Sequence, residues 1–190
     1  ILLIFQYLQE KDLEKARLAA EAFIARQPEN ATAYNLLGIT YAGLDNQDKA
    51  IKAFEAALEI APGDPLASRN LAIISLINDK PEAALGYYHG VLDHHEDHLT
   101  TLLRLSALEA KLGNDQAAMA ALERAMTAHP DAPQTKVLIA RAYLHAGETE
   151  KASTLLQEIS QKHPDDLSIL VPLGEAQLKN MEFLAAKITF

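Results

Sequence analysis

Alanine recurs every 34 residues along this chain without exception, at Ala16, Ala50, Ala84, Ala118, Ala152 and Ala186. Proline keeps the same step at Pro28, Pro62, Pro130 and Pro164, skipping only the place held by Glu96. A third series runs Leu3, Leu37, Leu71, Leu105, Ile139 and Leu173, and from Leu37 onward each member is followed by a small residue: Gly38, Ala72, Ser106, Ala140 and Gly174. A fixed period of this length means that one supersecondary unit is copied and that the copies bury their apolar faces on one another.

Within one period the apolar spacing is helical, as in Leu37, Tyr41 and Leu44, then Ala50, Ile51, Phe54, Ala57 and Leu58. Each period therefore predicts two amphipathic helices. Short turns separate them, "LDNQD", "INDKP", "LGNDQ" and "AGETE", in which Gly113 and Gly147, with Asp45 and Asp79 at the same phase, suit the left-handed conformation that ends a helix. Turns this short make the two helices antiparallel. Between periods, Asn30, Asp64 and Asp166 are placed to cap the next helix, and Pro65 and Pro133 to occupy its first position. The alternation of small and bulky residues predicts close helix crossing, with Gly38 facing Ala50 and Leu37, Tyr41 and Phe54 filling the space around them. On that scheme Ala118→Leu overpacks the core. Gly86 and Gly90 depart from the pattern inside a second helix, where they serve either close packing or a hinge, and Pro172 lies in the second turn of a first helix, where it is expected to bend the axis.

Residues 31 to 64 carry Leu37, Gly38, Tyr41, Ala50, Phe54, Ala57 and Pro62, with Tyr34 where a tryptophan would complete the set. This pattern resembles the tetratricopeptide repeat, with its 34-residue helix-turn-helix unit. The resemblance implies an all-α chain: a right-handed α-α superhelix of antiparallel helix hairpins forming one solenoid over residues 1–190. Full repeats are expected at 31–64, 65–98, 99–132 and 133–166, with partial ones at 1–30 and 167–190. The chain starts without Met and stops at Phe190 in mid-pattern, so it is expected to be a piece of a longer protein.

In this family the first helices line a concave groove that holds a peptide or a helix. The groove phases carried over to this chain are Asn35, Ile39, Arg69, Ile73, Leu76, Leu103, Ala107, Lys111, Val137, Arg141, Leu144 and His145, joined by Asn70 and Arg104. The resemblance thus implies a non-enzymatic protein-protein interaction scaffold. The set is apolar with a few cations, which suits an apolar or amphipathic segment bearing some negative charge. Asn70 and Arg104 also occupy two of the five phases of the family's clamp for a chaperone's terminal carboxylate, but Asn35, Ile39 and Thr100 hold the other three, so the clamp is not expected. Several runs, among them "LLRLSALEAKLGNDQAAMAALERA", are similar to the tetratricopeptide lipoproteins of exosortase/PEP-CTERM systems, which implies an alternative role in envelope secretion or exopolysaccharide export. A third alternative is a self-associating structural protein, with Leu2, Leu3 and Phe5 as an exposed apolar face.

Chemistry is sparse elsewhere. With 17 Lys and Arg against 26 Asp and Glu, the formal charge of -9 repels phosphate backbones, and nucleic acid is not expected as a partner. No cysteine is present, which fits cytoplasm and bacterial periplasm equally, and no apolar run reaches the roughly 20 residues that cross a bilayer. The opening "ILLIF" lacks the basic flank and cleavage site of a signal peptide. His94 and His98 stand at metal-ligand spacing in "HGVLDHHEDH", but the segment coincides with a helix end and the loop after it, so a solvated helix end is expected and no metal or other cofactor. Nucleophile elbow, phosphate loop, HExxH and dinucleotide turn are all missing, and the chain is not expected to be an enzyme.

Overall fold

The structure, a computed structural model, describes residues 1–180; Ala186, the last of the alanine series, lies outside them. Among the described residues all regular structure is α-helical. The helices are α1 (Leu2–Gln9), α2 (Leu13–Ile24), α3 (Ala31–Gly43), α4 (Gln47–Ile60), α5 (Pro65–Ile77), α6 (Pro81–His94), α7 (Leu99–Lys111), α8 (Asp115–Ala128), α9 (Pro133–His145), α10 (Thr149–Ser160) and α11 (Leu167–Lys179). None is long and apolar enough to cross a membrane. The chain divides into two compact units, Ile1–Thr101 and Leu102–Phe190.

One turn, used five times, makes the hairpins. Its central residue is left-handed in every case: Lys11 (φ 58°), Asp45 (56°), Asp79 (54°), Gly113 (81°) and Gly147 (78°). The following N–H then reaches back to the helix, from Asp12 to the Tyr7 carbonyl (2.9 Å), Asn46 to Tyr41 (2.9 Å), Lys80 to Ser75 (2.8 Å), Asn114 to Glu109 (2.9 Å) and Glu148 to Tyr143 (2.8 Å). These bonds satisfy a carbonyl that the helix end would otherwise leave open. Lys11 shares this phase although its side chain gives no turn signal.

The opposite ends are capped as expected. Asn30 Oδ1 accepts the Ala33 N–H at 3.0 Å, and Asp166 Oδ1 accepts that of Ser168 at 2.8 Å. Asp64 Oδ1 accepts both Leu66 and Ala67 N–H, at 3.1 and 2.8 Å. Asn46 and Asp12 do the same for second helices. Counting 34 residues on from Asp64 gives His98, whose Nδ1 accepts the Thr101 N–H at 3.3 Å and lies 2.8 Å from Thr101 Oγ1. His98 thus does at the start of α7 what Asp64 does at the start of α5.

In the first compact unit, Ile4, Ala20, Leu36, Leu37 and Ala53 form one buried cluster and Ala50, Phe54, Ala57, Ala67 and Leu71 another. Tyr41 ties α3 to α2: its hydroxyl donates to Glu21 at 2.8 Å, and the Arg17 guanidinium holds the same carboxylate at 2.9 Å. Burial raises the Glu21 pKa, but the Tyr41 hydroxyl and Arg17 outweigh it and leave the carboxyl below its ordinary value. In the second unit one buried cluster is Val137, Ala140, Leu144, Ala152, Leu156, Ile159, Ile169, Leu173 and Ala176. Pro172 lies inside α11, which continues to Lys179.

Three packing expectations need correction. Gly38 does not chiefly make room for Ala50: a Cβ placed on it would lie 2.5 Å from Phe54 Cε1. The glycine is there because the ring lies flat against the α3 backbone. Ala118, at the Ala50 phase, borders the open cavity described below, so a larger side chain has space beside it. Gly86 and Gly90 are not contact residues, because a Cβ at either would meet nothing within 4 Å. Without a close neighbour, alanine at either site gains helix propensity and loses nothing. Gly86→Ala and Gly90→Ala are each expected to stabilise the chain by about 0.5–1 kcal/mol, read as a higher urea midpoint at unchanged slope.

Candidate functional site

In the first compact unit, α3 and α5 present Asn35, Ile39, Arg69, Asn70, Ile73 and Leu76. Ile73 is exposed, Ile39, Arg69, Asn70 and Leu76 are half-buried, and Asn35 is 2% exposed. The Asn35 amide donates from Nδ2 to Asp64 Oδ1 at 3.0 Å, the atom that also caps α5. This bond fixes which way the amide points, and its oxygen is left buried without a partner. Arg69 donates from Nη2 to Asn70 Oδ1 at 3.3 Å. Arg69 Nε and Asn70 Nδ2 are buried and unpartnered as well. One acceptor and two donors at groove phases thus lack the hydrogen bonds that buried polar groups nearly always make.

In the second compact unit the candidates separate by depth. Val137 and Leu144 are 7% and 5% exposed and belong to the core, which leaves little of either for a ligand. Leu103 is half-buried, and Arg104, Ala107, Lys111, Arg141 and His145 are exposed. Arg104, Lys111 and Arg141 form no ion pair among the described residues. Two cavities open on this surface. One of about 580 Å³ lies among α7, α8 and α9, with an apolar lining that includes Leu103, Ala107, Met119, Leu122, Leu138 and Ala142. The other, about 440 Å³, lies between α9 and α11 and is bordered by Leu144, Val171, Pro172, Glu175 and Lys179. Arg141 and His145 border both. Sequence reading found several of these residues by phase but not the cavities, which depend on what fills the space behind the helices.

Tetratricopeptide repeat models match residues 7–65 and 71–133, and a second model so described matches 116–170. The chain belongs to the tetratricopeptide repeat family. It is 27% identical over 171 residues to cellulose synthase operon protein C of Pseudomonas fluorescens (strain SBW25), an alignment covering 83% of this chain and 13% of that protein. The chain therefore spans only a small part of that relative. Among solved structures it is similar to PilW, a widely conserved type IV pilus biogenesis factor, with a TM-score of 0.70 and 21% identity over 99% of this chain and 87% of PilW. It is also similar to YrrB, described as a tetratricopeptide protein with an unusual peptide-binding site, with a TM-score of 0.63 and 20% identity over 88% of this chain and 86% of YrrB. These likenesses show the all-α tetratricopeptide fold. Membership places the chain among protein-protein interaction scaffolds, which are generally non-enzymatic.

His94 packs on the inter-repeat turn, since a Cβ on Gly63 (φ +75°) would lie 2.7 Å from the His94 side chain, and His98 caps α7. Their spacing serves two structural contacts, and no group of three or more metal-ligating residues is assembled among the described residues. At the other exposed apolar surface, Leu2 and Phe5 on α1 are 86% and 46% exposed.

Proposed function

We propose that the chain binds a polypeptide segment on the first-helix faces of its repeats, without catalysing a reaction on it. The observation that carries this is the exposed first-helix surface: Ile73 is 41% exposed, and Arg104, Lys111 and Arg141 are exposed and form no ion pair among the described residues. In the first unit the exposed Ile73 offers apolar contact, and in the second the cations without an ion pair among the described residues favour a segment with carboxylates. The peptide-binding site described for YrrB supports the same reading.

A second reading is favoured by the similarity to cellulose synthase operon protein C: the scaffold serves assembly or export of an extracellular polysaccharide in a bacterial envelope. One experiment tests both. Affinity capture from cells uses the chain beside Ile73→Asp, Leu103→Asp and the double variant, each with helix content checked by circular dichroism. Proteins specific to the groove are expected to drop at least tenfold with the double variant, and export components among them would support the second reading. Recovery of the same proteins by all four baits would remove the first-helix faces as the binding surface.

A further inference from the structure

We infer that the second compact unit holds a two-cavity site for a polypeptide segment in which bulky apolar residues flank a carboxylate, with the carboxylate on Arg141. This rests on the binding reading above and gives its ligand a chemistry. The apolar cavity lies at phases where an earlier repeat is filled by an aromatic ring. In residues 31–64 the Phe54 ring is pressed onto Gly38 and closes the space between α3 and α4. At the same two phases residues 99–132 carry Leu122 and Ser106, and both line the cavity of about 580 Å³. A smaller side chain has replaced the ring and a larger one the glycine, so the ring-on-backbone contact that shuts the earlier repeat is not made. An engineered cavity of about 150 Å³ holds one benzene, so this one has room for roughly two or three apolar side chains.

The charges at its border are unequal in their commitments. Asp115 and Glu148 stand at the starts of α8 and α10, where the helix dipole offsets them, and Glu148 is also paired with Lys151. Glu175 and Lys179, beside the second cavity, pair with each other at 3.1 Å. Arg141 alone among the charged groups bordering both cavities is an uncommitted cation, a fork of donors suited to a carboxylate. His145, which also borders both, carries no carboxylate that would oppose an anion there. A fatty acid has one tail with its acid at the end and would occupy one cavity. A polypeptide carries side chains on both sides of an acidic residue and can use both, which favours it.

The test measures fluorescence anisotropy of three labelled peptides on the full chain: one with leucines flanking a central glutamate, one with lysine at the centre, and one with serines for leucines. The glutamate peptide is expected to bind, and the serine peptide at least tenfold more weakly. Arg141→Glu, at an exposed position, is expected to weaken the glutamate peptide at least tenfold and to bind the lysine peptide better than the unaltered chain does. Ala107→Trp fills the apolar cavity from an exposed position, and it is expected to weaken the glutamate peptide similarly with an unchanged melting temperature. Equal binding by both variants and the unaltered chain overturns the inference, as does failure of all three peptides to bind. It is equally overturned if dodecanoate binds in an Arg141-dependent way while no peptide does. If the inference fails but capture remains sensitive to Ile73→Asp, the binding reading stands on the first compact unit; if capture is insensitive too, both fall.

Discussion

Gly38→Ala is expected to lower the stability of the chain by about 1–3 kcal/mol, although glycine to alanine inside a helix ordinarily stabilises. The sign is decided by one contact. The new methyl would stand 2.5–2.8 Å from three atoms of the Phe54 ring, and Phe54 is 1% exposed, so the ring has nowhere to retreat. Phe54→Ala should cost about 3–5 kcal/mol, through lost burial and the space left behind. Once the ring is gone the methyl at residue 38 no longer clashes and fills part of the hole. The double variant is therefore expected to be more stable than the sum of the two losses by at least about 1 kcal/mol. Urea titrations of the four proteins measure this coupling. Additive losses would mean that the ring does not press on the backbone, and the account of the open cavity among α7, α8 and α9 would lose its reference.

The period was fully readable because it is written in residues that cannot be exchanged cheaply. Ala16, Ala50, Ala84 and Ala152 are all 0% exposed, and a larger side chain at such a place has no room. The helix ends were readable where the residue type itself signals, as at Asn30, Asp64, Gly113 and Gly147. Where the backbone imposed the state on an indifferent side chain they were not: Lys11 is left-handed because the two helices it joins require it. At His98 the expectation of a solvated helix end missed the cap, which its phase, 34 residues after Asp64, would have suggested. The phase was the better guide, because copies of one unit inherit their backbone contacts before their side chains.

The candidate site was half legible. Phase located the first-helix face, so Asn35, Arg69 and Arg141 could be named from sequence. Phase does not report depth, which is why Val137 and Leu144, at groove positions, are core residues instead. Depth depends on what stands behind the helix, such as Leu122 where an earlier repeat has Phe54. That information lies in pairs of residues on different helices.

Asp64→Ala is the second large effect expected, about 2–4 kcal/mol, well beyond the loss from an ordinary cap. Asp64 Oδ1 accepts three hydrogen bonds, from the Leu66 and Ala67 N–H groups at 3.1 and 2.8 Å and from Asn35 Nδ2 at 3.0 Å. Loss of the cap alone accounts for about 0.5–2 kcal/mol. The remainder comes from Asn35, which is 2% exposed, already has an unpartnered oxygen, and would then have its Nδ2 unpartnered too, at about 1–3 kcal/mol. Asn30→Ala supplies the comparison, because Asn30 caps α3 through the Ala33 N–H and its side chain holds no buried amide. The difference between the two variants in urea midpoint therefore contains the bond to Asn35 together with the second cap N–H that Asp64 accepts and Asn30 does not. Equal losses would show that this bond contributes nothing.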